Sequence, residues 1–146
     1  MNTWIEELLG ANIKKPLPIL SFPSVSLLGV SVKELISSSE LQAKGMKAVA
    51  DATDASAAVS FMDLSVEAEA FGATICVSDD EVPTVKGRLV SDEDEAEALE
   101  IPKVGQARTG IYIDAVKKAV ELITDRPVLA GMIGPFSLAA RATPCA

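Results

Sequence analysis

"AVSFMDLSVEAEAFGATICV", residues 58–77, holds an apolar run that ends at Asp63, an acidic alanine-rich segment that stops at Gly72, and a second apolar run. The first run, Ala57 to Met62, is short and almost wholly apolar, and it follows directly on a helical stretch. Strands buried on both faces of a parallel sheet read this way, which makes the chain α/β. The spacing after it predicts a short helix over Val66–Phe71, with Ser65 or Asp63 as its cap. Asp63 therefore has two readings, a carboxylate at the lip of a site or a helix cap. Glu67 and Glu69 lie two positions apart and face different sides of that helix, so at most one looks into a pocket. Glu69 is the candidate.

Upstream, residues 2–9 predict a short helix stopped by Gly10. Pro16 and Pro18 precede Ile19–Phe22, a predicted first strand, where they need not donate to a ladder. "SVKE", residues 31–34, is a capping box that starts a helix reaching to about Ala52. Gly45 and the "SSSE" segment at 37–40 leave room for a break into two helices. Downstream, Thr74–Val77 and Thr84–Val90 pair as a small hairpin. "SDEDEAEALE", from Ser91, is a helix start whose acids favour the positive end of the dipole. It lacks the ligand spacing and central glycine of a calcium loop.

"TGIYIDAVKKAVELITD", from Thr109, predicts an amphipathic helix with Ile113, Val116, Val120 and Ile123 on its apolar face. "VLAGMIG" is a third strand, and "SLAAR" opens another helix with Ser137 as its cap. Pro144 would interrupt that helix. Residues 141–146 thus read as an aberrant or truncated tail. Tyr112 and Trp4 read as packing residues. The order is repeated βα with right-handed crossovers.

The totals exclude several functions. The chain has 146 residues, a formal net charge of -8, no histidine, and two cysteines, Cys76 and Cys145, without metal or redox spacing. The acidity disfavours nucleic acid, whose phosphates need a basic footprint. The missing histidine removes histidine-based acid/base chemistry and histidine–metal ligation from this chain. No apolar run reaches the roughly 18 residues of a membrane span. Acids stand where a signal peptide carries basic residues. These point to a soluble, cytoplasmic protein without a membrane partner.

Three motifs, in order, carry a resemblance: "SFMDLSVEAEAFGA" at 60–73, "DDEVP" at 79–83 and "GMIGPFSLAA" at 131–140. Together they resemble the uroporphyrinogen decarboxylase superfamily, and more closely its branch of methylcobamide:coenzyme M methyltransferases. The likeness spans residues 17–140 and only the N-terminal portion of such proteins. It implies a single partial domain over 1–146, the N-terminal part of a (β/α)8 TIM barrel with about three βα units and a hairpin insertion; a whole barrel takes about 250 residues.

In that setting Asp63 ends the second barrel strand, at the rim where barrel sites are built. Pro23, Gly134 and Phe136 are then expected to line the mouth with Asp63 and Glu69 as substrate-binding residues. The decarboxylases carry arginines after their first strand for a multi-acid tetrapyrrole. Residues 21–32 contain none, so a poly-anion would be desolvated without a cationic partner. The resemblance instead implies methyl transfer from a methylated corrinoid, carried on a partner protein, to a small thiol such as coenzyme M. Zinc would lower the pKa of the thiol. The family's zinc ligands, a histidine and two cysteines, belong to its C-terminal half and have no counterpart here. No catalytic residue, metal or cofactor is therefore assigned to this chain, which is expected to be inactive alone. A decarboxylase-like enzyme and a non-catalytic α/β binding or scaffolding module are the alternatives. Uncovered sheet edges would favour a homo-oligomer or swapped assembly.

Overall fold

A computed structural model describes residues 3–19 and 21–143. Helices α1 (Thr3–Gly10), α2 (Ser24–Leu28), α3 (Val32–Ile36) and α4 (Ser39–Ala52) come before strand β1 (Ala58–Val59) and helix α5 (Val66–Ala70). Strands β2 (Thr74–Cys76) and β3 (Thr84–Lys86) follow, then α6 (Glu93–Glu97), α7 (Thr109–Leu122), β4 (Val128–Leu129) and α8 (Pro135–Ala142). β1 and β4 pair in parallel, Ala58 beside Val128 and Val59 beside Leu129. β2 and β3 form the expected antiparallel hairpin, shorter than predicted.

Local chemistry explains the helix boundaries. Ser31 Oγ accepts from the Glu34 amide at 3.2 Å, and Glu34 Oε2 accepts from the Ser31 amide at 2.8 Å. This is the predicted capping box. The helix does break: Ser37 closes α3, and Ser38 opens α4 by accepting from the Leu41 amide. Asp92 caps α6 through the Glu95 amide, as its acidic first turn suggested. α8 has Gly134 as its N-cap and Pro135 in its first turn. Ser137 is thus inside the helix, not its cap. α8 continues to Ala142, and Pro144 and Cys145 lie outside the described residues.

Two expectations are corrected. Ser21 and Phe22 form no strand; they lead into α2, and Leu20 lies outside the described residues. Prolines 16 and 18 have no N–H to give a ladder. The segment is fastened instead by single bonds: the Ser56 amide donates to the Pro16 carbonyl at 2.9 Å, and Ser21 Oγ donates to the Val59 carbonyl at 2.6 Å.

The second correction concerns α7. Its buried stripe is Ala115, Ala119 and Ile123, with Tyr112 half-buried above it. Of the predicted face only Ile123 is buried, while Ile113 and Val120 are exposed. Small alanine side chains let α4 and α7 approach closely, and this pair forms the largest helix contact of the molecule. Leu35, Ala43, Met46, Ala50, Ala58 and Phe61 complete the core with Ala119 and Ile123. Gly45 permits a second close approach: a Cβ there would lie 2.6 Å from Ser24 Oγ and 3.1 Å from Phe61 Cζ. No helix among the described residues is long and apolar enough to cross a membrane.

Candidate functional site at the strand ends

Chain leaving the C-terminal end of β1 turns at Asp63 and enters α5. The Asp63 side chain is fully buried, so every lone pair needs a donor. Oδ1 accepts from the Ser65 amide at 3.0 Å and from Ser65 Oγ at 2.5 Å. Oδ2 accepts from Arg108 Nη1 at 2.5 Å and from the Tyr112 hydroxyl at 2.9 Å. Asp63 thus joins both of its readings: it stands at the strand end and also fixes the start of the following helix. With both oxygens engaged by the protein, it offers no spare acceptor to a ligand.

Arg108 is the hub that sequence reasoning missed. It is the residue preceding α7, 45 positions from Asp63, and its side chain is only 12% exposed. Besides Asp63 it reaches Glu69 through Nε and Ser65 Oγ through Nη2 at 2.9 Å. The loop that delivers it is tight. Ala107 has φ of 50°, a left-handed conformation unfavourable for a side chain with a Cβ. A Cβ on Gly110 would lie 2.8 Å from the Gly105 carbonyl oxygen, so that approach needs glycine. Gln106 Nε2 also donates to the Ala70 carbonyl at 2.9 Å, pinning the same loop to α5.

Burial alone would push the Arg108 pKa down, but the Asp63 and Glu69 carboxylates outweigh it and hold it above its ordinary value. Burial, reinforced by the neighbouring Asp63 charge, pushes the Tyr112 pKa far up. Tyr112 therefore does more than pack: it stays a neutral donor. Its folded pKa is above the unfolded value of 10.0, so its contribution is complete below pH 10. That contribution falls as the pH rises further, because only the unfolded chain then releases the proton. The chain has one tyrosine, so tyrosinate absorbance reports it alone. The expected titration shows no ionisation at the ordinary pH and a rise only with unfolding. A normal titration of the folded protein would contradict this geometry.

Beside this polar knot lies an open cavity of about 680 Å³. It runs between the ends of β1 and β4, the first turns of α7 and the loop at 101–105. Its walls are mainly apolar, among them Met62, Phe71, Ile113, Val116 and Ile133, and Glu67 lines it. Glu67 Oε1 also accepts from the Ile133 amide at 3.2 Å, tying α5 to the chain leaving β4. Glu69 instead pairs with Arg108 and is not among the lining residues. Pro23 stands at the N-cap position of α2, Gly134 caps α8, and Phe136 is 88% exposed. Of the five sequence candidates, the structure brings Asp63 and Glu69 together around Arg108. Asp63 also borders the cavity; Pro23, Gly134 and Phe136 do not.

No group of three or more His, Cys, Asp or Glu side chains among the described residues has a metal-binding arrangement. Cys76 is exposed on the hairpin. The donor set required for a thiol-activating zinc is thus not met by these residues, and no step is assigned to zinc in this chain.

Residues 24–144 match the family described as Uroporphyrinogen decarboxylase (URO-D). The chain is similar to "Methylcobamide:CoM methyltransferase MtbA" of Methanosarcina acetivorans, with 34% identity over 79 residues. That match covers 53% of this chain and 23% of MtbA. The fold superposes on a solved "methyltransferase from Methanosarcina mazei" with a TM-score of 0.80 and 23% identity, covering 97% of this chain and 44% of that one. The architecture is accordingly part of a TIM barrel, spanning less than half the length of either protein.

Proposed function

The chain belongs to the uroporphyrinogen decarboxylase family, and we propose that it forms the N-terminal portion of a corrinoid-dependent methyltransferase barrel. In this reading a methyl group passes from a methylated corrinoid, held on a partner protein, to the sulfur of a thiol such as coenzyme M. The similarity to MtbA carries the reading. The arginine-free segment at 21–32 supports it against decarboxylation of a multi-acid tetrapyrrole. Zinc, where the rest of such a barrel holds it, would supply thiolate activation.

The residues of this chain contribute the rim. Arg108, Asp63, Ser65 and Tyr112 hold the β1 end rigid, and Glu67 presents a carboxylate to an apolar cavity. Held geometry of this kind is what transfer between two separate reactants requires. The knot itself carries no chemistry, because its donors and acceptors satisfy one another.

A chimera tests the proposal, with this chain replacing the corresponding portion of M. acetivorans MtbA. Methylcobalamin and coenzyme M serve as substrates, followed by loss of methylcobalamin absorbance and by the methylated thiol formed. The expected result is transfer within about tenfold of MtbA, equivalent to about 1.4 kcal/mol in the barrier, and no turnover of uroporphyrinogen. A folded chimera that transfers no methyl, or one that decarboxylates uroporphyrinogen, would overturn it.

A further inference from the structure

The backbone ladder between β1 and β4 stops short of the strand ends. The amides of Ala58 and Ser60 donate to the carbonyls of Pro127 and Leu129, both at 2.9 Å. Carried further, the same alternation would send the Gly131 amide to the Ser60 carbonyl and the Ile133 amide to the Met62 carbonyl. Side chains take both donors instead. The Gly131 amide donates to Ser60 Oγ at 2.8 Å, and the Ile133 amide to Glu67 Oε1 at 3.2 Å. Met62 lies over this stretch, and a Cβ on Gly131 would collide with its Sδ. The rungs nearest the rim are therefore side-chain rungs, and the outer one comes from a helix.

That helix, α5, is clamped on two sides. Glu69 is bound by Arg108, and Ser65, just before the helix, meets both Asp63 and Arg108. Glu67 points another way and reaches Ile133, the residue before the Gly134 cap of α8. α5 is thus a strut from the loop before α7 to the start of α8, with Glu67 at its far end. Satisfying the Ile133 amide does not require this. The Met62 carbonyl would serve, and a carboxylate beside apolar walls costs desolvation. A local rule broken at a strand end, where barrel sites are built, points to a working position.

We propose that Glu67 is a positioning residue for the methyl transfer: its carboxylate, in place of a ladder bond, sets the spacing between the ends of β1 and β4. It acts through the backbone of Ile133, a residue that borders the cavity, and not by touching the reacting atoms. The role rests on the methyltransferase reading above.

The test introduces Glu67→Ala and Glu67→Gln into the MtbA chimera. Glutamine keeps an acceptor oxygen at the same reach, and alanine keeps none. In E67A kcat is expected to fall about tenfold or more while KM for coenzyme M holds, the pattern of lost alignment and not of lost binding. E67Q should recover to within about threefold of the parent chimera. In this chain by itself, the Ile133 amide should exchange at least about tenfold faster in E67A than in the parent or E67Q, with circular dichroism unchanged. Parental kcat in E67A, a loss confined to KM, an E67Q as slow as E67A, or unchanged exchange at Ile133 would each overturn the role. A folded parent chimera that transfers no methyl sinks the methyltransferase reading and this role with it. An active parent with an equally active E67A sinks the role alone.

Discussion

Replacing Arg108 by methionine is expected to destabilise the fold by about 3–5 kcal/mol, the cost typical of leaving a buried charge without its partner. The stranded charge is Asp63, whose side chain has no exposure. Ser65 and Tyr112 still donate to it, but neither neutralises it. Glu69 is partly exposed and can rehydrate, so it contributes little. The double variant D63N/R108M removes both buried charges and should recover much of the loss, a coupling of order 1–3 kcal/mol. Chemical denaturation of the two single variants and the double variant measures it. Simple additivity would show that the pair is not a unit.

Phe61→Ala is expected to cost about 3–5 kcal/mol, as large-to-small changes in packed cores do. Phe61 is 2% exposed and lies two residues beyond the end of β1. Its ring meets Phe22 edge-on, with centroids 5.4 Å apart and planes at 86°, an arrangement worth about 0.5–1.5 kcal/mol beyond area. Across from it lies the Gly45 contact between α2 and α4. Truncation therefore opens a void among α2, α4 and the strand at once, and those elements cannot collapse together without losing the α4–α7 packing. Phe61→Leu should cost much less, because most of the volume stays. Equal losses for the two variants would mean that the site relaxes freely.

Much of the fold could be read from local signals. The Ser31–Glu34 box, the hairpin and the acidic start of α6 depend on contacts within a few residues, and those are visible in sequence. The parallel pair was legible from its apolar run, although only two residues of each strand pair. The face of α7 was not. Periodicity finds apolar stripes but cannot rank two of them, and the alanine stripe won because small side chains let α4 come close.

The site divided in the same way. Asp63 could be singled out because it interrupts an apolar strand. Arg108 could not, since it sits in a tight loop and its partners lie 39 to 45 residues upstream. A lone basic residue just ahead of a helix was the only available signal, and such residues are common. Glu67 and Glu69 could be told apart only once Arg108 had claimed Glu69.

The register of β1 with β4 has a consequence for synthesis. Ala58 meets Val128, so 70 residues, the difference between these positions, separate the partners. At about 5–20 residues per second, β1 waits roughly 4–14 s for its mate to be made. Helices α2 to α4 are complete before that wait begins and can pack on one another, although α7, the main partner of α4, has still to be made. They can shelter Phe61 early. The apolar strand ends stay bare until α7 and β4 emerge, and in that interval the nascent chain is most open to chaperones and to wrong partners.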